Sequence, residues 1–142
     1  DHIPRGVYSD ILPVFYRPAI EKGERIAAHV TEGRWFELST IPRYLDISLA
    51  LLEGKSKGIF TGNQNRISNN AEVTDSILWD NVTIEDGAKL YRTIIADGVT
   101  IKSGEYFENA AIVRADMVRN AVIPEKAPVG QYVGDNYVVK LI

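Results

Sequence analysis

The apolar residues Ile67, Val73, Leu78, Ile84, Leu90, Ile95, Ile101, Phe107, Ile112, Val118 and Ile123 follow one another at steps of 6, 5, 6, 6, 5, 6, 6, 5, 6 and 5. Through Val118 the rhythm is a three-beat 5, 6 and 6, so the repeat is 17 residues long. Fixed-period self-similarity of this kind marks a solenoid, in which each unit buries its apolar face only against its neighbours. Units of about six residues with one aliphatic side chain suit the short strands of a parallel β-helix, whose ladders lie about 4.8 Å apart. The step of 5 makes one corner of a three-sided coil shorter than the other two. Three inward columns are expected: Val73/Leu90/Phe107, Leu78/Ile95/Ile112, and Ile67/Ile84/Ile101/Val118.

Gly87, Gly98 and Gly104 each follow Asp or Ser and fall between the strands. A corner there requires a positive φ, which glycine adopts cheaply. The recurring Asp-Gly breaks also count against an amphipathic helix through this region. Three coils are expected between about residues 59 and 123, with the pattern fading in the third. There Asp116 takes the place of Val82 and Val99.

The flanks read differently. Ser9 and Asp10 can cap a short helix that has Pro13 near its first turn and is interrupted by Pro18 and Gly23. Arg25–Val30 alternates like a strand, Thr31–Gly33 reads as a turn, and Arg34–Leu38 as a second strand. Residues 39–54 open on a hydroxyl cap and an early proline, carry apolar residues at helical spacing, and close on Gly54. Residues 124–130 read as a loop, and Asn136–Ile142 as a last strand that caps the solenoid.

Composition narrows the function. The formal net charge is −3 with both signs interspersed, which favours neither nucleic acid nor an anionic membrane as partner. The absence of cysteine removes disulfides, thiolate zinc sites and cysteine nucleophiles. No apolar run approaches the ~20 residues of a membrane span, and no signal-peptide pattern opens the chain, so a cytoplasmic location is expected. Asp1 in place of an initiator methionine suggests a chain cut from something longer.

The run GRWFELSTIPRYLDI, Gly33 to Ile47, resembles the Trp-x-Asp-x-Gly-Thr-x-x-x-Tyr-Leu segment that ends the catalytic domain of sugar-1-phosphate nucleotidyltransferases. In that family a left-handed β-helix often follows at once, and the nearest flavour is the bacterial mannose-1-phosphate guanylyltransferase-like group. The resemblance implies a mainly β architecture: a left-handed parallel β-helix of hexapeptide repeats over residues 55–142, with a C-terminal strand. Residues 1–54 would be the α+β end of a catalytic domain. It also implies the joining of a nucleoside triphosphate to a sugar 1-phosphate with release of pyrophosphate, in the presence of Mg²⁺.

Carried over by position, Glu37 stands where the family's metal-binding Asp stands. Trp35 matches a Trp near the sugar, and Thr40 the Thr of Gly-Thr, with Ser39 in place of the Gly. On a strand, Trp35 and Glu37 would share one face while Phe36 and Leu38 enter the core. A carboxylate beside a Trp is also an ordinary surface pair. No stretch of this chain matches the family's glycine-rich phosphate loop, so the chain alone is expected to lack the nucleotide site and to be inactive.

Two other functions fit the repeat. One is a stand-alone structural module that self-associates through its flat sides, with Trp79 and Tyr91 as contact residues. The other is a hexapeptide-repeat acyltransferase, which needs a histidine base; both histidines, His2 and His29, precede the coils.

Overall fold

In the computed structural model residues 3–52 and 58–141 are described. The chain divides into two compact units, Asp1–Trp35 and Phe36–Ile142. In the first, a π-helical turn at Leu12–Tyr16 runs straight into helix α1 (Arg17–Glu21). Asp10 does cap this run: its Oδ1 accepts the Leu12 N–H at 3.0 Å. Pro18 does not interrupt the helix as expected. It has no N–H to give to a residue four back, and the widened turn ahead of it is where the helical register shifts. Gly23 ends the helix at φ +69°, with Glu24 N–H bonded to Ala19 O and Gly23 N–H to Ile20 O, both at 3.0 Å. That pair of bonds is the Schellman arrangement of a helix C-terminus.

The two strands expected at Arg25–Val30 and Arg34–Leu38 are not formed, and residues 23–40 are exposed throughout. Alternation makes a strand only where a second backbone satisfies its N–H and C=O groups, and among the described residues none pairs with either run. Phe36 and Leu38, expected in a core, are 39% and 63% exposed.

The second unit is the solenoid. Its strands are β1 (Ile59–Thr61), β2 (Arg66–Ile67), β3 (Glu72–Thr74), β4 (Ser76–Leu78), β5 (Thr83–Ile84), β6 (Lys89–Ile95), β7 (Thr100–Ile101) and β8 (Tyr106–Arg114). All pair in parallel at an offset of 17: Ile59 with Ser76, Arg66 with Thr83, Glu72 with Lys89, Ile77 with Ile94, Ile84 with Ile101, and Ile95 with Ile112. About three turns of a mainly β, parallel β-helix result, as the 17-residue rhythm requires.

Strands β6 and β8 each run through a corner, where the ladder skips Arg92 and Asn109 and resumes in the same register. At those corners Arg92 and Asn109 hold φ +51° and +47°, in register with Asp75 at +47° and Gly58 at +67°. This one-residue corner is the shortened step of the sequence. Gly87, Gly98 and Gly104 lie at φ +69°, +68° and +72°, as expected of corners.

The columns hold where coils stack on both sides. Leu78, Ile95 and Ile112 are fully buried, Leu90 is 2% exposed, and Ile84 and Ile101 are 2% and 0% exposed. Ile67, in the first coil, is 40% exposed. The expected continuation to Val118 and Ile123 fails. The chain leaves the coil at helix α3 (Ala115–Arg119), where Val118 is half-buried, and Ile123 is 53% exposed. Asp116 is the cause: a carboxylate cannot occupy the column in which Val82 and Val99 are fully buried. It sits instead in the first turn of α3, where negative charge is favourable, and accepts from Arg114 Nε at 3.1 Å.

The end of the stack is closed by a hairpin of β9 (Gln131–Val133) and β10 (Asn136–Lys140). Strand β10 pairs antiparallel with β8, from Asn136 opposite Arg114 to Lys140 opposite Ala110. Buried Asn136 donates to Thr100 O at 2.9 Å, taking the ladder bond that a further coil would have made. Helix α2 (Ile41–Leu51) lies on the outside of the β1/β4/β6/β8 wall. There Leu45, 1% exposed, packs on the outward residues Ile77, Ile94 and Ala111. The helix end expected at Gly54 lies outside the described residues. No helix among the described residues is long and apolar enough to cross a membrane.

Candidate functional site

The segment that carries the family resemblance ends in α2. Thr40 is its N-cap: the Thr40 Oγ1 accepts the Arg43 N–H at 3.3 Å, a hydroxyl satisfying one of the free donors of the first turn. Pro42 follows inside that turn, where its missing N–H costs nothing. The Arg43 side chain folds back over the cap. Its Nη1 donates to Glu37 Oε2 at 2.7 Å and to Ser39 Oγ at 2.8 Å. The structure thus brings Glu37, Ser39 and Thr40 together around Arg43, a residue the sequence reading did not single out. Trp35 is 82% exposed. The strand expected to set it on one face with Glu37 is not formed.

This arrangement bears on the implied Mg²⁺. Glu37 offers one carboxylate, half-exposed and already matched in charge by Arg43. Among the described residues no group of three or more His, Asp or Glu converges on one point. Mg²⁺ asks for near-octahedral oxygen donors. The described residues do not make such a site by themselves.

A concavity lies beside α2 on the same wall of the solenoid. It is a groove of about 970 Å³ between the α2 entrance (Leu38–Pro42), the outward residues Ile94 and Ala111, and the C-terminal segment with Lys126, Lys140 and Leu141. Trp79 forms part of its wall and is fixed there by donating Nε1–H to Tyr44 Oη at 3.3 Å. Trp79 and Tyr91, paired above as surface aromatics, therefore part company. Trp79 lines the groove, whereas Tyr91 stands on the β3/β6/β8 wall, 40% exposed, near Tyr106 at 60%. The groove is not legible in the sequence, because Lys140 reaches it only through the hairpin that folds β10 back on β8.

Corner side chains tie successive coils together. Asp97 Oδ1 accepts the Asp80 N–H at 2.8 Å, and Asn65 Oδ1 the Val82 N–H at 2.7 Å. Ser68 Oγ and Asn70 Nδ2 both donate to Asp86 at 2.8 Å. These acids serve the backbone and neighbouring coils, which agrees with their reading as corners.

Against known proteins, residues 53–107 match the family described as GlmU-like, C-terminal hexapeptide. No curated protein matches the chain. The matched span takes in nearly all of the three coils, and stops short of the point where α3 replaces the repeat. The solenoid is a hexapeptide-repeat β-helix, similar over those residues to the GlmU-like C-terminal hexapeptide family.

Proposed function

We propose that this chain is the C-terminal part of a sugar-1-phosphate nucleotidyltransferase of the GDP-mannose-forming type, cytoplasmic, with the β-helix serving assembly or regulation. What carries the reading is order along the chain. The Trp35–Leu45 segment, with Glu37, Thr40, Tyr44 and Leu45 at the family's spacing, stands directly ahead of a GlmU-like hexapeptide repeat at 53–107. In the reaction an oxygen of the sugar phosphate attacks the α-phosphorus of the nucleoside triphosphate. The bond to the β-phosphate oxygen breaks, and pyrophosphate leaves with that electron pair. Such chemistry depends on positioning and on cationic groups at the developing charge. In this proposal Trp35 and Thr40 contact substrate, and Glu37 is the segment's carboxylate for Mg²⁺. For that role Glu37 has to release Arg43 and be joined by oxygens that the described residues do not bring to it.

The test is pyrophosphate release from GTP and mannose 1-phosphate, and from a panel of other triphosphates and sugar phosphates. Turnover is expected from the parent protein and none from these 142 residues alone. Glu37→Gln in the parent should cut the rate steeply with an unchanged far-UV spectrum. An unchanged rate and Mg²⁺ dependence would make Glu37 simply the surface partner of Arg43. A parent inactive across the whole panel, or an active isolated chain, would overturn the proposal. The alternative, a stand-alone assembly module, is favoured by the exposed Tyr91 and Tyr106 on one wall.

A further inference from the structure

We propose that the groove beside α2 binds a small amphipathic carboxylate, its chain on the apolar floor and its acid group at Lys126 and Lys140. The floor and walls are apolar: Ile94, Ala111, Leu141 and Trp79 line it. Its volume, about 970 Å³, is at the upper end of the range of small-molecule sites. The charge at its edge has one sign. Lys126 and Lys140 line the groove, and among the described residues no acidic one does. Neither lysine has an ion-pair partner among the described residues, whereas the acids flanking the lining segments at Glu37 and Asp116 are each held by an arginine. An apolar trough with unpaired ammonium groups complements a molecule that is apolar along its length and singly anionic at one end. A neutral hydrocarbon would leave the lysines unused, and a multiply charged polar anion would leave the floor bare. Trp79 is held in the wall by its bond to Tyr44 rather than free to turn into the trough. The inference does not depend on the nucleotidyltransferase reading and survives its failure.

The chain has two tryptophans, so a Trp35→Phe background leaves Trp79 as the reporter. Sodium decanoate, below its micellar concentration, should change Trp79 fluorescence saturably. Along hexanoate, octanoate and decanoate, binding should tighten about three- to four-fold per buried methylene. 1-Decanol should bind about ten-fold more weakly than decanoate, and Lys126→Gln/Lys140→Gln should remove that difference. The decanol comparison decides the matter if the double variant fails to fold. No saturable response, or equal binding of decanol and decanoate, overturns the proposal. So does a response confined to phosphatidylglycerol vesicles, which would make the face a membrane contact. Concentration-dependent self-association that buries Trp79 and is indifferent to decanoate would also overturn it, by giving the groove to a second copy.

Discussion

Ile67 and Ile101 occupy one column of the coil two turns apart, yet the first is 40% exposed and the second fully buried. A single apolar side chain in this fold is worth what the coils on either side make of it. Ile101→Ala should destabilise by about 2–5 kcal/mol, the range for a buried large-to-small change. Ile67→Ala should cost less than half of that. Denaturant unfolding of the two variants checks both, and equal losses would contradict the column as described. Tyr106 offers a second test. Its hydroxyl donates to Glu108 Oε2 at 2.6 Å, and this bond, followed by desolvation and the Glu108 charge, raises the phenol above its ordinary value of 10.0. The raised folded value means that this contribution to stability is whole below pH 10 and is lost as the pH climbs through the folded pKa. Ultraviolet titration should show one late phenol that returns toward its ordinary value in Glu108→Gln. The columns were legible because period and burial are the same fact in a solenoid. Arg43 was not, since nothing in its neighbours' spacing says that its side chain will fold back over Thr40 to reach Glu37.

At the scale of the element, helix α2 shows which force holds a helix to a sheet. Two contacts compete for the credit. Leu45 is buried on Ile77, Ile94 and Ala111, while Asp46 meets Arg92 Nη2 at 2.6 Å with side chains 60% and 35% exposed. A half-exposed ion pair is screened and contributes about 0–1 kcal/mol, whereas emptying a buried leucine site costs about 2–5 kcal/mol. Leu45→Ala should therefore destabilise several-fold more than Asp46→Asn, measured by denaturant midpoints, and added salt should change neither ranking. The helix itself was readable from its cap, its proline and its apolar spacing. The strands at 25–30 and 34–38 were misread for a physical reason. A helix satisfies its backbone internally, so its own sequence carries the signal, but a strand depends on a partner that alternation cannot name. The run through Pro18 was missed because the π-helical turn that lets it pass leaves no mark in composition.

For the molecule as a whole, the walls of the solenoid divide the work. The β1/β4/β6/β8 wall is covered by α2 and carries the groove, and the C-terminal end is closed by α3, β9 and β10. On the β3/β6/β8 wall Tyr91 and Tyr106 are exposed, with an ion pair from Lys89 to Glu72 at 2.8 Å beside them. Aromatic side chains on a flat, regular surface are what subunit contacts favour, because they bury much area for little lost side-chain freedom. Self-association through this wall is the expected outcome, and sedimentation should show an oligomer at micromolar concentration. Tyr91→Glu/Tyr106→Glu should shift it toward monomer with the far-UV spectrum of the folded coil retained, since both side chains point away from the interior. Trp79→Phe should leave the oligomer intact, because that residue belongs to the other wall. A monomer, or an oligomer that ignores the tyrosine pair and responds to Trp79, would remove the contact from this wall.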